Sequence, residues 1–421
     1  MRIRPFTLIF LLGALGGAAF LGLSTYDFIQ HLDREVHDLV CTSILGNDAE
    51  AAGEEPGCKV ALMSPYSSTF RTLVWGGIPI SLPGLSVFCF LVYRGLDLVL
   101  GRREDDRDAT FFVFLASIIP AIASMVMGYI SYSELGTACK LCVGTYISSA
   151  VTLLGAAGAW RSAGSPGVVE DIGLGGSELA DVPAGGSGLT GLLVGAATLG
   201  GFTAVPMLTY MILSPDFSKY IGGCGTLPKP EDTNKIMVAL DENPQGKAAV
   251  EVLDPLCPSC LGFERRLEAS GMAGQLDRKV VLFPLDNACN WNVSSAMHPG
   301  ACTISEAVIC AEGRATAVID WAFENQQAIR EASAIDPKAA ERMVLEKFPD
   351  LKSCVGGNAV KTKLNRSMRW VVSNELPVLT PQLYVEGVKL CDADTDLGLD
   401  WALSRLLAQG GKLPQAEGKA Q

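Results

Sequence analysis

Ala138-Cys139-Lys140-Leu141-Cys142-Val143 opens an apolar run that continues to Trp160, and no Asp, Glu, Lys or Arg follows Lys140 within it. A charge-free stretch of that length meets the roughly 20-residue requirement of a membrane helix. Outward from it, Phe6 to Tyr26, Leu73 to Tyr93, Phe111 to Tyr132 and Gly188 to Leu213 are equally free of those four residue types. Five spans are therefore expected, with a Cys-x-x-Cys at the mouth of the fourth.

Charge placement orients the spans. Arg2 and Arg4 precede the first, and Arg94, Arg102, Arg103 and Arg107 lie between the second and third, which the positive-inside tendency assigns to the cytoplasm. The acidic loop from Asp27 to Arg71 then lies outside, the linker from Arg161 to Ser187 inside, and everything after Leu213 outside. A cleaved signal peptide is the alternative for the first stretch, whose arginines are followed by the small residues Gly16, Gly17, Ala18 and Ala19. The apolar run from Phe6 to Leu23 exceeds the roughly 7–15 residues of a signal core, and either reading leaves Cys41 outside.

The chain therefore divides into a four-helix membrane region (1–161), a Gly/Ser-rich linker (162–187) that reads as flexible, a fifth membrane helix (188–213) and an exported domain (214–421) long enough for its own core. The formal net charge of −12 argues against a nucleic-acid partner, because phosphate is repelled. Gly13, Gly16 and Gly17 either let helices approach closely or are simply tolerated in a span, and Pro79 and Pro83 interrupt the second span.

Thirteen cysteines suit an oxidising compartment. Cys89 alone lies deep within an expected span, as a small core residue; the other twelve fall on the exterior or at helix ends facing it. The expected staples of the exported half are Cys289 with Cys302, Cys310 with Cys354, and Cys224 with Cys391, although spacing does not give connectivity.

The exported half carries its own motif. Ala248 to Leu253 reads as a buried strand, and Asp254-Pro255-Leu256-Cys257-Pro258-Ser259-Cys260 leads into a helix beginning near Leu261. A cysteine at a helix start sits beside unsatisfied N–H groups and the positive end of the helix dipole, which favours thiolate. Cys257 is the expected nucleophile, and Cys260, about one turn later, the shielded thiol that resolves a mixed disulfide. A zinc half-site is the structural alternative, but His298 is the only histidine in this half and no second Cys-x-x-Cys follows. His298 itself reads as a packing residue or a helix-flanking polar group.

Far downstream, Leu379-Thr380-Pro381 precedes a strand from Gln382 to Val385, a turn at Gly387 and a strand from Val388 to Leu390. Strand, Cys-x-x-Cys, helix and a later Thr-Pro before a hairpin resemble the thioredoxin fold. That resemblance implies a cis Pro381 facing the Cys-x-x-Cys, with an inserted helical lobe over Ser305 to Phe348, as in periplasmic thiol oxidases and reductases of that superfamily.

In the membrane half, Cys142 lies a turn deeper than Cys139, where a thiol meets lipid-soluble molecules more readily than water-soluble ones. Upstream stand Cys41, Cys58-Lys59-Val60, Ser64-Pro65-Tyr66-Ser67 and Trp75-Gly76-Gly77-Ile78-Pro79-Ile80. With the later Cys-x-x-Cys, these segments resemble the vitamin K epoxide reductase family, whose bacterial members are often fused to a thioredoxin-like domain. The resemblance implies a relay: Cys257 attacks a Cys41–Cys58 disulfide at Cys58, Cys41 exchanges with Cys139, and Cys142 passes the electrons to a quinone of ubiquinone, menaquinone or vitamin K type, with Ser64 as a hydrogen-bonding residue. The stretch between Cys41 and Cys58 is longer than in most relatives, but doubling a loop costs only about 0.6 kcal/mol in closure entropy.

The expectation is a membrane helical bundle followed by an α/β thioredoxin-like domain, acting as a thiol–quinone oxidoreductase in a bacterial inner membrane. Its partners would be reduced exported proteins, the quinone pool and the bilayer. Reverse electron flow, making a disulfide reductase or isomerase, is the alternative within redox chemistry, and a static bridge at Cys41–Cys58 or a disulfide-stapled anchor is the non-catalytic one. A transporter is disfavoured because no Asp, Glu, Lys or Arg lies inside the expected spans.

Overall fold

The computed structural model describes residues 3–34, 57–136, 139–164, 188–240 and 243–409. It contains two compact units, Met1–Thr69 with Ile78–Ser214, and Phe70–Gly77 with Pro215–Gln421.

The first unit is helical. Its elements are α1 (Pro5–Gln30), the short α2 (Gly57–Met63), α3 (Ser81–Leu100), α4 (Arg107–Ser133), α5 (Lys140–Ser162) and α6 (Gly188–Leu213), with a two-residue hairpin of β1 (Ser68–Thr69) and β2 (Ile78–Pro79). All but α2 are long and apolar enough to cross a membrane. A helix is the form in which such a segment satisfies its own backbone in lipid, and the exposed side chains of Leu12, Ile122, Met125 and Leu154 suit lipid contact. Pro5 starts α1 at a position that needs no N–H, and the Asp106 carboxylate caps α4 by accepting from the N–H groups of Asp108 and Ala109. α1 packs along both α5 and α3, α4 along α5, and α6 against α3.

Glycine is what lets α1 and α5 meet so closely. A Cβ on Gly155 would stand 2.4 Å from the Phe10 backbone nitrogen, and one on Gly13 2.7 Å from that of Thr152. Gly17 is likewise filled by the Phe88 ring, so these glycines serve helix packing.

Three expectations for this region are corrected. The second span begins at Ser81, not Leu73: Pro79 belongs to β2, and Pro83 sits in the first turn of α3, where its missing N–H costs nothing. Cys89 is exposed on the outer surface of α3 rather than packed in the core, because the bundle buries the α3 face carrying Phe88, Phe90 and Leu91. α1 extends beyond Tyr26 and so includes a buried Asp27. Cys41 and most of the linker (165–187) lie outside the described residues, and Cys58 falls in α2 with its side chain outside them.

The second unit is a mixed sheet with helices. Its strands are β3 (Val238–Ala239), β4 (Lys247–Leu253), β5 (Leu276–Leu282), β6 (Gln382–Val385) and β7 (Val388–Lys389), in the order β3-β5-β4-β6-β7. Only β4 and β5 are parallel, paired from Lys247↔Leu276 to Leu253↔Leu282; α7 (Pro258–Ser270) lies between them in the chain. A parallel pair needs such a crossover. Between β5 and β6 come α8 (Ala301–Cys310), α9 (Ala315–Glu324), α10 (Gln326–Ile335), α11 (Ala339–Lys347) and α12 (Asn358–Ser373), and α13 (Leu399–Gln409) follows β7. The stretch expected to be helical from Ser305 to Phe348 is thus a set of short helices.

One core joins the sheet to these helices, with Val252, Leu253, Val281 and Leu282 packed into the same cluster as Ile304, Val308, Ile329 and Leu364. Disulfides link Cys224–Cys391, Cys289–Cys302 and Cys310–Cys354, the three pairings expected.

Candidate functional site

The described residues include two free thiol pairs, one within each unit. In the second unit, β4 ends at Leu253 and the chain turns through Asp254 to Leu256 before α7 begins. Cys257 is the N-cap of α7 with extended backbone, and Pro258 occupies the first helical position. That cap sets the Cys257 sulfur beside the positive end of the α7 dipole, with the Cys260 N–H a minor contributor to holding it as thiolate. Cys260, one turn on, is wholly buried, and Cys257 is only 4% exposed.

The Cys260 thiol donates to Cys257, and this outweighs burial to hold Cys257 at about 6, against an ordinary value of 9.0. Burial, then the same hydrogen bond, pushes Cys260 well above its ordinary value. The pair therefore divides into a thiolate and a retained thiol, as attack and resolution require.

The surroundings hold this loop in place. The Thr380–Pro381 bond is cis, and the Thr380 carbonyl lies 3.6 Å from Cys257 Sγ. Gln326 of α10 donates from Nε2 to the Cys257 carbonyl at 3.0 Å. Asp254 is fully buried; its carboxylate accepts from the N–H groups of Leu256 and Leu285, and His298 Nδ1 stands 2.7 Å from Oδ2. Burial opposes protonation of His298, but Asp254 outweighs it and raises the imidazole above its ordinary value. His298, which reads from sequence as a packing or helix-flanking group, is thus part of the scaffold under the cysteines. The spacing to Asp254 and Gln326 is long-range and left no local signal.

The first unit repeats the cap arrangement. Cys139 is the extended N-cap of α5 and is buried. Cys142 follows at the third helical position, and the two thiols hydrogen-bond each other. Tyr146, one turn further along the same face, hydrogen-bonds Cys142. Cys139, Cys142 and Tyr146 line a cavity among the helices together with Asp27, Ser64 and Ser81. Apolar walls come from Phe28, Leu62, Ile80 and Ile130. Ser64 lines this cavity, and its hydroxyl donates to the Ala61 carbonyl at 2.8 Å.

Asp27 and Tyr146 were missed. The signal for Tyr146 was available, since residues four apart share a helix face; Asp27 was hidden because the apolar stretch ends just before it. A cavity with an apolar wall, a few convergent polar groups and a thiol at its edge can take an apolar molecule carrying hydrogen-bond acceptors.

No protein of curated description matches the chain. Residues 8–156 match the model of the Vitamin K epoxide reductase family, and this similarity, with five helices long and apolar enough to cross a membrane, supports a multi-pass membrane protein.

Proposed function

We propose that this protein is a membrane thiol–quinone oxidoreductase that makes disulfides in exported proteins. The observation that carries the reading is the duplicated helix-capping Cys-x-x-Cys. One pair opens a membrane helix onto an apolar cavity, and the other opens a helix of the mixed α/β unit, with a thiolate at Cys257. We read the second unit as thioredoxin-like, from the β4–α7–β5 crossover, the cis Pro381 and the β6–β7 hairpin. We take residues 214–421 as this domain, with Phe70–Gly77 clustering alongside them.

The sequence of exchanges begins at Cys257–Cys260. As a disulfide, this pair accepts two electrons from a substrate dithiol: substrate thiolate attacks Cys257, a second substrate thiol displaces it, and Cys257 and Cys260 leave reduced. Cys257 thiolate then attacks the Cys41–Cys58 disulfide at Cys58, Cys260 resolves the mixed disulfide, and Cys41 passes the pair of electrons to Cys139–Cys142. Cys142, which lines the cavity, delivers them with two protons to quinone. The balance is dithiol plus quinone giving disulfide plus quinol. A stabilised thiolate at Cys257 favours the reduced form and makes its disulfide the stronger oxidant, which supports flow from substrate to membrane. Tyr146 and Ser64, which both line the cavity, are the groups we assign to hydrogen-bond the quinone oxygens. The compartment is the exterior of a bacterial inner membrane.

The test is quinol formation by purified protein given a reduced, unfolded polypeptide. Cys142→Ala abolishes quinol formation while leaving exchange of Cys257–Cys260 with small thiols intact. Quinone consumption at the parental rate in that variant would show that Cys142 is not the terminal donor.

A further inference from the structure

The segment Phe70–Gly77 stands in the chain between β1 and β2 of the membrane unit, yet it folds as part of the thiol unit. Its anchor is Trp75, 2% exposed, whose indole N–H donates to Asp394 Oδ1 at 2.7 Å. The ring meets Phe217 edge-on with centroids 5.3 Å apart. Opposite it lies Gly398, where a Cβ would come 2.4 Å from the indole nitrogen, so only glycine leaves room for the ring.

Two arginines extend the attachment. Arg71 Nε lies 3.3 Å from Asp400 Oδ1, while the other oxygen of Asp400 faces Arg266 at 3.7 Å. Arg266 is buried on α7, the helix that Cys257 caps. Arg405 of α13 donates to the Thr72 carbonyl at 2.9 Å and lies over the Trp401 ring at 4.1 Å. Both ends of the segment are held side by side, because Thr69 pairs with Ile78 and Ser68 with Pro79.

We propose that Phe70–Gly77 is a captive strap, by which the thiol unit is retained on the membrane unit of its own chain. It adds two chain crossings to the one at Ser214–Pro215 and seals them with a buried aromatic anchor and an ion-paired arginine. Under the relay reading, on which this rests for its functional meaning, the consequence is kinetic. A tethered thiol pair reacts at an effective concentration set by the tether rather than by diffusion between molecules, so the membrane unit reoxidises its own thiol unit in preference to a free one.

The test uses the full chain with a protease site inserted between Ser214 and Pro215. After cleavage in detergent, the C-terminal fragment of the parental protein stays bound and co-elutes with the membrane unit. In Arg71→Ala/Trp75→Ala it separates. Gly398→Val, which evicts the indole from the opposite side, separates as well and leaves the strap sequence untouched. Release of the parental fragment on cleavage, or its retention in both variants, overturns the strap. This readout stands whether or not quinone is reduced. A second arm reduces the cleaved protein, adds a water-soluble quinone and follows oxidation of Cys257–Cys260 by quenched alkylation. The parental rate is independent of protein concentration; the double variant is slower by about tenfold or more and becomes concentration-dependent. Quinone reduction driven directly by dithiothreitol is unchanged. Parental-rate, concentration-independent oxidation in the variant overturns the proposed kinetic role, whereas a parental chain that never oxidises the pair overturns the oxidoreductase reading and leaves the cleavage result to decide the strap.

Discussion

Replacing Cys260 by Ala removes the thiol that donates to the Cys257 thiolate, while the helix N-terminus and the cis Thr380–Pro381 loop remain. Cys257 is held at about 6 with that donor as the largest cause. A hydrogen bond to a charged acceptor is worth about 1.5–3 kcal/mol, equivalent to about one to two pH units at about 1.4 kcal/mol each. The midpoint of Cys257 therefore rises to about 7–8. At pH 6.5 its thiolate fraction is about three quarters in the parent and falls to between about a quarter and about 3% in the variant. Only the thiolate alkylates, so iodoacetamide labelling of Cys257 in the reduced protein slows by about 3- to 25-fold at that pH. Rates are read from the Cys257 peptide by mass spectrometry between pH 4 and 10. The sign is unambiguous: a depressed midpoint means reactivity is present above about pH 6 and lost below it. A variant midpoint still at about 6 would show that the helix start, not Cys260, carries the effect. A parental midpoint near 9 would remove the thiolate from the mechanism altogether.

Two further outcomes concern stability of the second unit. Cys310–Cys354 spans 44 residues, so Cys310→Ser/Cys354→Ser costs about 4 kcal/mol by the chain-entropy relation, measured as a lower denaturant midpoint of the full chain; a loss under about 1 kcal/mol would show that the helical lobe holds without its staple. For His298, Asp254 raises the folded value above the ordinary 6.5, so its contribution is complete below about pH 6.5 and is lost as pH rises through the raised value. His298→Gln therefore flattens the pH dependence of the denaturation midpoint above about pH 6.5, and a slope parallel to that of the parent would rule the pair out as its source.

The parts legible in the sequence are those whose physics is local. Absence of charge over about 20 residues is enough to require a membrane helix, and α4, α5 and α6 cover the expected stretches closely. A Cys-x-x-Cys beside a proline at a helix start reveals the cap at Cys257, and the alternation before it reveals β4. Where local signals misled, a tertiary partner overrode them. Leu73 to Ile80 is as apolar as a span, yet Trp75 is buried against Gly398 and Asp394, far away in the chain. Cys89 was assigned inward because hydrophobicity all round a helix does not say which face meets its neighbours.

The amino-acid order alone determined that five segments suit lipid, that two thiol pairs sit at helix starts, and that the C-terminal half carries cysteines enough for several disulfides. Only the tertiary structure decided that Cys142 shares a cavity with Asp27 and Tyr146, that His298 pairs with Asp254 beneath Cys257, and that Phe70–Gly77 joins the second unit. The physical reason is that helix capping and lipid solubility act over a few residues. Burial of an indole, or pairing of a buried carboxylate, is settled by whichever distant groups the folded chain brings within about 3 Å.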